Sequence, residues 1–178
     1  MTEYRRPRVP GATWFFTVGL AKRRGNGLLV ERIDALRLAF RAVRDGHPFQ
    51  MDAVVVLPDH LHCVWSLPEG DADYSTRWGL IKARFSRSLE RGERRSASRV
   101  MRGERGIWQR RFWEHCIRDE EDYARHVDYI HWNPVKHGYV QRVAEWPYSS
   151  FHRHVAKGVY ALDWGCEEGS NLTGAGLE

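Results

Sequence analysis

Apolar and polar positions along this chain alternate with two distinct periods, and the switches between them mark its elements. Thr13-Trp14-Phe15-Phe16-Thr17-Val18 is aromatic and β-branched and follows Pro10-Gly11, which predicts a first strand. Ile33, Leu36, Phe40 and Val43 recur at helical spacing, predicting a helix over 31–44 with Gly46 beyond its end. Ala53 to Leu57 is an unbroken apolar run, the pattern of a buried strand. After a Pro58-Asp59 turn, Leu61, Cys63 and Trp65 alternate with His60, His62 and Val64. That period of two predicts a returning strand with one core face and a second face free for chemistry.

Ser75 is placed to cap a helix reaching about Leu89, with Trp78, Ile81 and Phe85 on its apolar side and Lys82, Arg84 and Arg87 on the polar one. Residues 91–99 have no apolar period and read as a mobile basic loop. Ile107 to His115 interleaves aromatics with arginine and predicts another strand, which can stack bases or equally be an ordinary strand with a polar face. Asp119 is a predicted N-cap followed by Glu120, Glu121 and Asp122, and its helix is expected to stop near Asn133 because Pro134 disfavours helical geometry before it. Gly138-Tyr139-Val140 is expected to return to the sheet, and Ser149 or Ser150 to start a last helix ending at Gly158. The polar, glycine-rich tail from Glu167 is expected to fray, and no internal repeat is visible.

Composition narrows the classes. At 178 residues, 42% of them hydrophobic and eight of them tryptophan, the chain is expected to fold as one domain with a substantial core. The net charge of +5 favours a polyanionic partner. The charge is unevenly placed: residues 82–111 hold eleven Lys or Arg against three acids, so the rest of the chain is net acidic. A field concentrated in this way is the footprint of a nucleic-acid binder, or else a solvated loop. Cys63, Cys116 and Cys166 are scattered with no CxxC, which argues against a disulfide framework and a thiolate zinc site. No stretch resembles a signal peptide or a membrane span, so a cytoplasmic protein is expected, with no membrane partner.

The candidate chemistry lies in two places. His60 and His62 project from one face of a strand, where two imidazoles can bind a divalent metal or grip a phosphate. On the helix after Asp119, Tyr123, Val127 and Ile130 form the core stripe, while His126, Tyr129 and Asn133 cluster about a quarter turn away. Tyr129 and Asn133 are i and i+4, hence neighbours. Taken alone, Tyr129 reads best as a boundary aromatic and Asn133 as a C-cap. Set beside the histidines, they suit phosphodiester cleavage. A phenol, with its ordinary pKa near 10, is a poor nucleophile unless its target is polarised. Mg²⁺ or Mn²⁺ on His60, His62 and the Asn133 carbonyl can hold a phosphate beside Tyr129 as a Lewis acid. Imidazole ligands leave the physiological metal open. His126 and His131 flank the tyrosine but need no role, and Lys136 can steady an oxyanion on charge grounds.

The ordered motifs carry a resemblance. Glu3-Tyr4-Arg5-Arg6, residues 11–18, Val56 to Trp65, Leu67-Pro68-Glu69-Gly70-Asp71, Ile107 to His115, His126 to Ile130, Asn133-Pro134-Val135-Lys136-His137-Gly138 and Trp146 to Arg153 together resemble the REP-associated tyrosine transposases, a branch of the single-tyrosine HUH transposases. The resemblance spans roughly 3–165. It implies an α+β fold, a central antiparallel β-sheet flanked by helices, as a single HUH domain over 1–165 with a basic loop at about 91–105 and a polar tail over 166–178. It implies His60 and His62 as metal ligands with Asn133 as the third, where wider relatives place a glutamine, and Tyr129 as the nucleophile forming a 5′-phosphotyrosine link. The implied substrate is single-stranded DNA at REP palindromic hairpins. Arg5, Arg6, Lys82, Arg110, Arg111 and Lys136 are the candidate nucleic-acid contacts. The chain is expected to act as a monomer or homodimer associated with the nucleoid. Two rivals stand beside this reading: a REP-hairpin binder without cleavage, and a histidine-triad nucleotide hydrolase, which is disfavoured because the third alternating position is Val64.

Overall fold

Strand β1 (Thr13–Gly19) is buried on both faces, and that double burial organises everything around it. It pairs antiparallel with β3 (His60–Ser66) on one side and β4 (Trp113–Cys116) on the other, and β2 (Gln50–Val56) closes the sheet in the order β2-β3-β1-β4. The structure, a computed structural model, describes residues 6–92 and 95–165.

Period two sends the two sets of side chains into different cores. Trp14, Phe16 and Val18 of β1 join Leu61, Cys63 and Trp65 of β3 under α2 (Ile33–Gly46) and α3 (Tyr74–Arg87). Phe15, Val55 and Val64 meet Val127, Tyr129 and Ile130 of α5 (Glu120–Lys136) on the opposite face. The face expected to carry chemistry is therefore roofed by the helix that bears Tyr129 and Asn133. A four-residue helix, α1 (Leu28–Glu31), precedes α2. The outer edge of β2 is closed by the 148–150 segment: Val56 N–H donates to the Tyr148 carbonyl at 2.8 Å and Ser150 N–H to the Val54 carbonyl at 2.8 Å. Covering the edge in this way leaves no long open template for strand addition.

Several boundaries depart from sequence expectation for local reasons. Asp73, not Ser75, caps α3, its Oδ1 accepting the Thr76 N–H at 3.0 Å. The basic segment contains a short helix, α4 (Ala97–Met101), and two of its arginines, Arg99 and Arg105, are used as struts to backbone carbonyls. Arg105 donates to the Leu89 carbonyl at 2.8 Å and the Glu90 carbonyl at 2.6 Å, placing a cation at the C-terminal end of α3. Of the strand expected over 107–115, only its C-terminal end pairs, as β4; Trp108 makes a lone bridge with Leu20.

Asp119 caps α5 as expected, accepting the Asp122 N–H at 2.8 Å. The helix does not stop at Asn133. Pro134 sits in the last turn, where it removes a single hydrogen bond, and the helix runs to Lys136. A Schellman pair ends it: Tyr139 N–H donates to the Pro134 carbonyl at 3.0 Å and Gly138 N–H to the Val135 carbonyl at 2.9 Å. Gly138 takes the left-handed conformation this requires, φ +71°. Residues 138–140 consequently form a turn and not a strand. Ser150 precedes the last helix, α6 (Phe151–Ala156), and Gly158 at φ +72° follows it. The tail from Glu167, and Arg5, lie outside the described residues.

Candidate active site

The site is built where β3 begins. His60 and His62 are each 3% exposed, and their rings meet edge-on at 4.9 Å. Both Nδ1 atoms are occupied from behind. His60 Nδ1 lies 2.6 Å from Asp59 Oδ1 and 3.0 Å from Arg23 Nη2, an acceptor and a donor meeting at one ring nitrogen. Arg23 braces the same carboxylate, Nε to Oδ2 at 2.8 Å. His62 Nδ1 shares a 2.9 Å hydrogen bond with Thr17 Oγ1, its cross-strand partner in the β1–β3 register. A hydrogen bond at one ring nitrogen orients the other, which is how ligating histidines are commonly held. Opposite His60 the register places Gly19, and the Gln109 side chain fills the space that a Cβ there would need.

Burial is the largest influence on both imidazoles. It pulls His62 well below the ordinary histidine value, helped by the neighbouring His60, His137 and Lys136, and it lowers His60 despite the hydrogen-bond contact with the Asp59 carboxylate. Burial alone would raise the Asp59 carboxyl, but its hydrogen bonds with His60 and Arg23 outweigh it and hold the group below the usual range. Neutral imidazoles carry lone pairs, the form that binds a cation.

Helix α5 delivers the remaining parts. The Tyr129 ring stands 5.2 Å from the His62 ring, and Lys136 Nζ lies 5.0 Å above the Tyr129 ring. One turn past Tyr129, Asn133 is fully buried, and among the described residues neither its Oδ1 nor its Nδ2 has a hydrogen-bond partner. His62 Nε2 is likewise buried and unpartnered. Orphaned polar atoms of this kind cost about 1–3 kcal/mol each unless something completes them. An imidazole nitrogen and an amide oxygen are the donor set a divalent cation accepts, so these residues fit a metal.

A second group, His115, Asp122 and His126, also brings ligand atoms within 4.8 Å of one another. Its carboxylate is already engaged, Oδ2 accepting from His115 Nε2 at 2.7 Å and from the Arg118 N–H at 3.0 Å, which makes it an anchor for the start of α5. His126 is buried beside Phe15, their rings 4.7 Å apart, and His131 points the other way to Ser150 Oγ at 3.0 Å, with burial setting its pKa at about 3.

Of the candidate nucleic-acid contacts among the described residues, only Lys136 lies at this site. Arg6 sits over the Phe112 ring at 3.7 Å and Lys82 donates to the Gln109 carbonyl at 3.0 Å, beneath aromatics that desolvate it and lower it to about 8. Arg110 is paired with Glu104 at 2.8 Å, while Arg111 is exposed. The bracing residues Thr17, Arg23 and Asp59 were not singled out by the sequence. Asp59 had a signal, its place directly before His60, whereas Thr17 needs the strand register and Arg23 the loop after β1.

Comparison with known proteins decides the family. The chain is 50% identical over 164 residues to the REP-associated tyrosine transposase of Escherichia coli (strain K12), covering 92% of this chain and 91% of that one. The chain belongs to the REP-associated tyrosine transposases. A Haemophilus influenzae protein is 46% identical over 166 residues, covering 93% of this chain and 94% of its own. The solved structure of a REP-associated tyrosine transposase bound to a REP hairpin superposes with a TM-score of 0.79 at 49% identity, covering 92% of this chain and 91% of that chain. No family model matches. The α+β architecture with its antiparallel sheet is thus the HUH fold of that family, and the chain is a transposase. No helix among the described residues is long and apolar enough to cross a membrane.

Proposed function

We propose that this transposase nicks and rejoins single-stranded DNA beside REP palindromic hairpins, using Tyr129 covalently and a divalent metal, Mg²⁺ or Mn²⁺, on His60, His62 and Asn133. The observation that carries the reading is the set of buried, unpartnered ligating atoms, His62 Nε2 and the Asn133 amide, beside the Tyr129 ring. A relative sharing half the sequence is solved bound to a REP hairpin, which supports the substrate class.

In this reading the Tyr129 phenolic oxygen attacks phosphorus. A P–O bond to tyrosine forms as the bond to the 3′ oxygen breaks, and the displaced oxygen leaves as a 3′ hydroxyl after taking up a proton. The 5′ end stays on Tyr129 until a second 3′ hydroxyl reverses the step. A bound cation supplies Lewis-acid polarisation of the phosphate. Lys136, its Nζ 5.0 Å over the Tyr129 ring, brings a cation close to the attacking group. Asp59 and Thr17 hold the two imidazoles in place so that the phosphate meets a fixed site.

The test uses end-labelled single-stranded REP hairpin DNA with Mn²⁺ or Mg²⁺. The wild-type chain is expected to give a metal-dependent nick and a denaturant-resistant protein–DNA adduct, and Tyr129→Phe to lose both. Tight hairpin binding with no nick in either metal moves the protein to the binding-only reading. Nicking that survives Tyr129→Phe assigns the attack to water.

A further inference from the structure

A row of aromatic rings leads away from the histidines over the edge of the sheet. The His137 ring lies 5.3 Å from His60, and Tyr139 lies 6.0 Å from His137. Trp146 stacks on Tyr139 at 5.4 Å and 29°, and Tyr148 meets Trp146 edge-on at 5.6 Å. Trp146 and Tyr148 rest with one side against the cores and keep the other side at the surface. Tyr139 is 43% exposed, and Trp146 and Tyr148 are half-buried. Their positions are fixed by the end of β2: Trp146 Nε1 donates to the Val56 carbonyl at 3.0 Å, and the Val56 N–H to the Tyr148 carbonyl at 2.8 Å.

The row ends at a cleft of about 380 Å³, lined by Phe40, Val54 and Tyr148 and rimmed on α2 by Arg37, Arg41 and Arg44. Those arginines recur on successive turns of one helix face. Arg37 reaches Asp34 at 3.4 Å, but no carboxylate among the described residues lies within ion-pair distance of Arg41 or Arg44. An apolar slot beside two uncompensated guanidiniums selects a ligand with flat apolar faces and repeating negative charge. Single-stranded DNA has both: a base stacked on an aromatic contributes about 1–3 kcal/mol, and phosphates pair with arginine. An acidic peptide would use the charge but leaves unexplained the rings running back to His60.

We infer that Tyr139, Trp146, Tyr148 and the Arg41–Arg44 cleft form an accessory track for the single-stranded flank of the DNA substrate, separate from the site that holds the reacting phosphate. The inference rests on the single-stranded DNA substrate proposed above. The flank leaves the histidines across the outward face of Tyr139, passes over the β2 edge and reaches the cleft, where its phosphates meet Arg41 and Arg44.

Binding of the full chain to dye-labelled REP hairpins, followed by fluorescence anisotropy, tests this. The flank is lengthened from about two to about twelve nucleotides, spanning usual single-strand site sizes, on the 5′ side in one probe set and the 3′ side in another. Lengthening on one side is expected to tighten wild-type binding at least about tenfold. Arg41→Ala with Arg44→Ala removes most of that gain and lowers the slope of log K against log salt by about 1.4, roughly 0.7 for each lost phosphate contact on a single strand. Arg41→Lys with Arg44→Lys keeps the slope. Tyr139→Ala cuts the gain at least about fivefold and Tyr139→Phe retains it, as loss of one stacked base requires. Matched thermal unfolding and unchanged affinity for the short-flank hairpin show that the variants are folded. No gain on either side in wild type, or an equal gain in the arginine and alanine pairs, overturns the track. Failure of the wild type to nick overturns the proposed chemistry instead, and leaves the flank measurement readable because that depends on binding alone.

Discussion

The two faces of the sheet are covered by helices and buried to the same degree, yet they are different materials. Under α2 and α3, Trp14, Phe16, Trp65, Tyr74 and Trp78 interlock through ring contacts such as Phe49–Trp65 at 4.1 Å and Trp65–Trp78 at 4.7 Å. Its orphaned polar atoms are indole N–H groups, among them those of Trp14, Trp65 and Trp78, weakly polar tips surrounded by aromatic faces. On the α5 side the orphans among the described residues are imidazole and amide atoms, His62 Nε2, His126 Nε2, His131 Nδ1 and both polar atoms of Asn133, groups able to ligate a cation. One face holds the fold together. The other gives up stability to keep lone pairs unfilled, as functional sites often do. Strand β3 serves both, because successive residues point to opposite sides.

If that division is right, the largest effect on stability belongs to the aromatic face. Trp65→Ala is expected to lower unfolding free energy by about 3–5 kcal/mol, measured in urea, while nicking per folded molecule stays at the wild-type level. A comparable loss of nicking at a temperature where the variant is folded would mean that the faces are coupled. The next effect probes the anchor that seats α5. Burial alone would raise the Asp122 carboxyl, but hydrogen bonds from His115 and Arg118 outweigh it and set it at about 2, against 3.8 unperturbed. A depressed carboxyl stabilises the fold above its unfolded pKa and loses that contribution as pH falls. Wild type should therefore lose on the order of 2 kcal/mol between about pH 4 and pH 2, and Asp122→Asn should flatten that part of the curve. An unchanged acid limb in the variant would remove Asp122 from the account.

These sides were not equally legible in the sequence. Trp78, Ile81 and Phe85 announce the aromatic face by helical spacing, and the alternation through β3 announces which residues of the strand join it. The same alternation left the burial of the other face open, since His60 and His62 at alternate positions suit a solvated face as well as a buried site. Only α5 docking on Val55 and Val64 distinguishes them, and that contact is between segments far apart in the chain. The Pro134 boundary failed for a related reason: local geometry argued for a stop, but the turn closed by Gly138 and Tyr139 carried the helix on to Lys136. The basic segment read as a loop because periodicity cannot see Arg105 bonding the carbonyls that end α3.

Support from behind the ligands gives a smaller effect. Asp59→Asn keeps the shape but removes the carboxylate charge that lies 2.6 Å from His60 Nδ1. It is expected to raise the metal concentration for half-maximal nicking by about ten- to a hundredfold, with little change in melting temperature in chelator. A wild-type metal requirement in this variant would show that Arg23 and packing orient His60 without the carboxylate.

The sharpest comparison comes from the smallest change. Asn133→Leu conserves shape and removes two buried polar atoms that have no partner. In chelator the variant should be more stable than wild type by about 1–2 kcal/mol, because a desolvated amide is replaced by a group that loses nothing on burial. Adding Mn²⁺ should then reverse the order: wild type gains stability as binding to the native state is saturated, whereas the variant, short of a ligand, gains far less and does not nick. The same substitution on the aromatic side has no such crossover, since nothing there awaits a ligand. If Asn133→Leu were instead less stable than wild type in chelator, the amide would be earning its burial through contacts within the protein, and the lone pairs of this face would not be held in reserve for a metal.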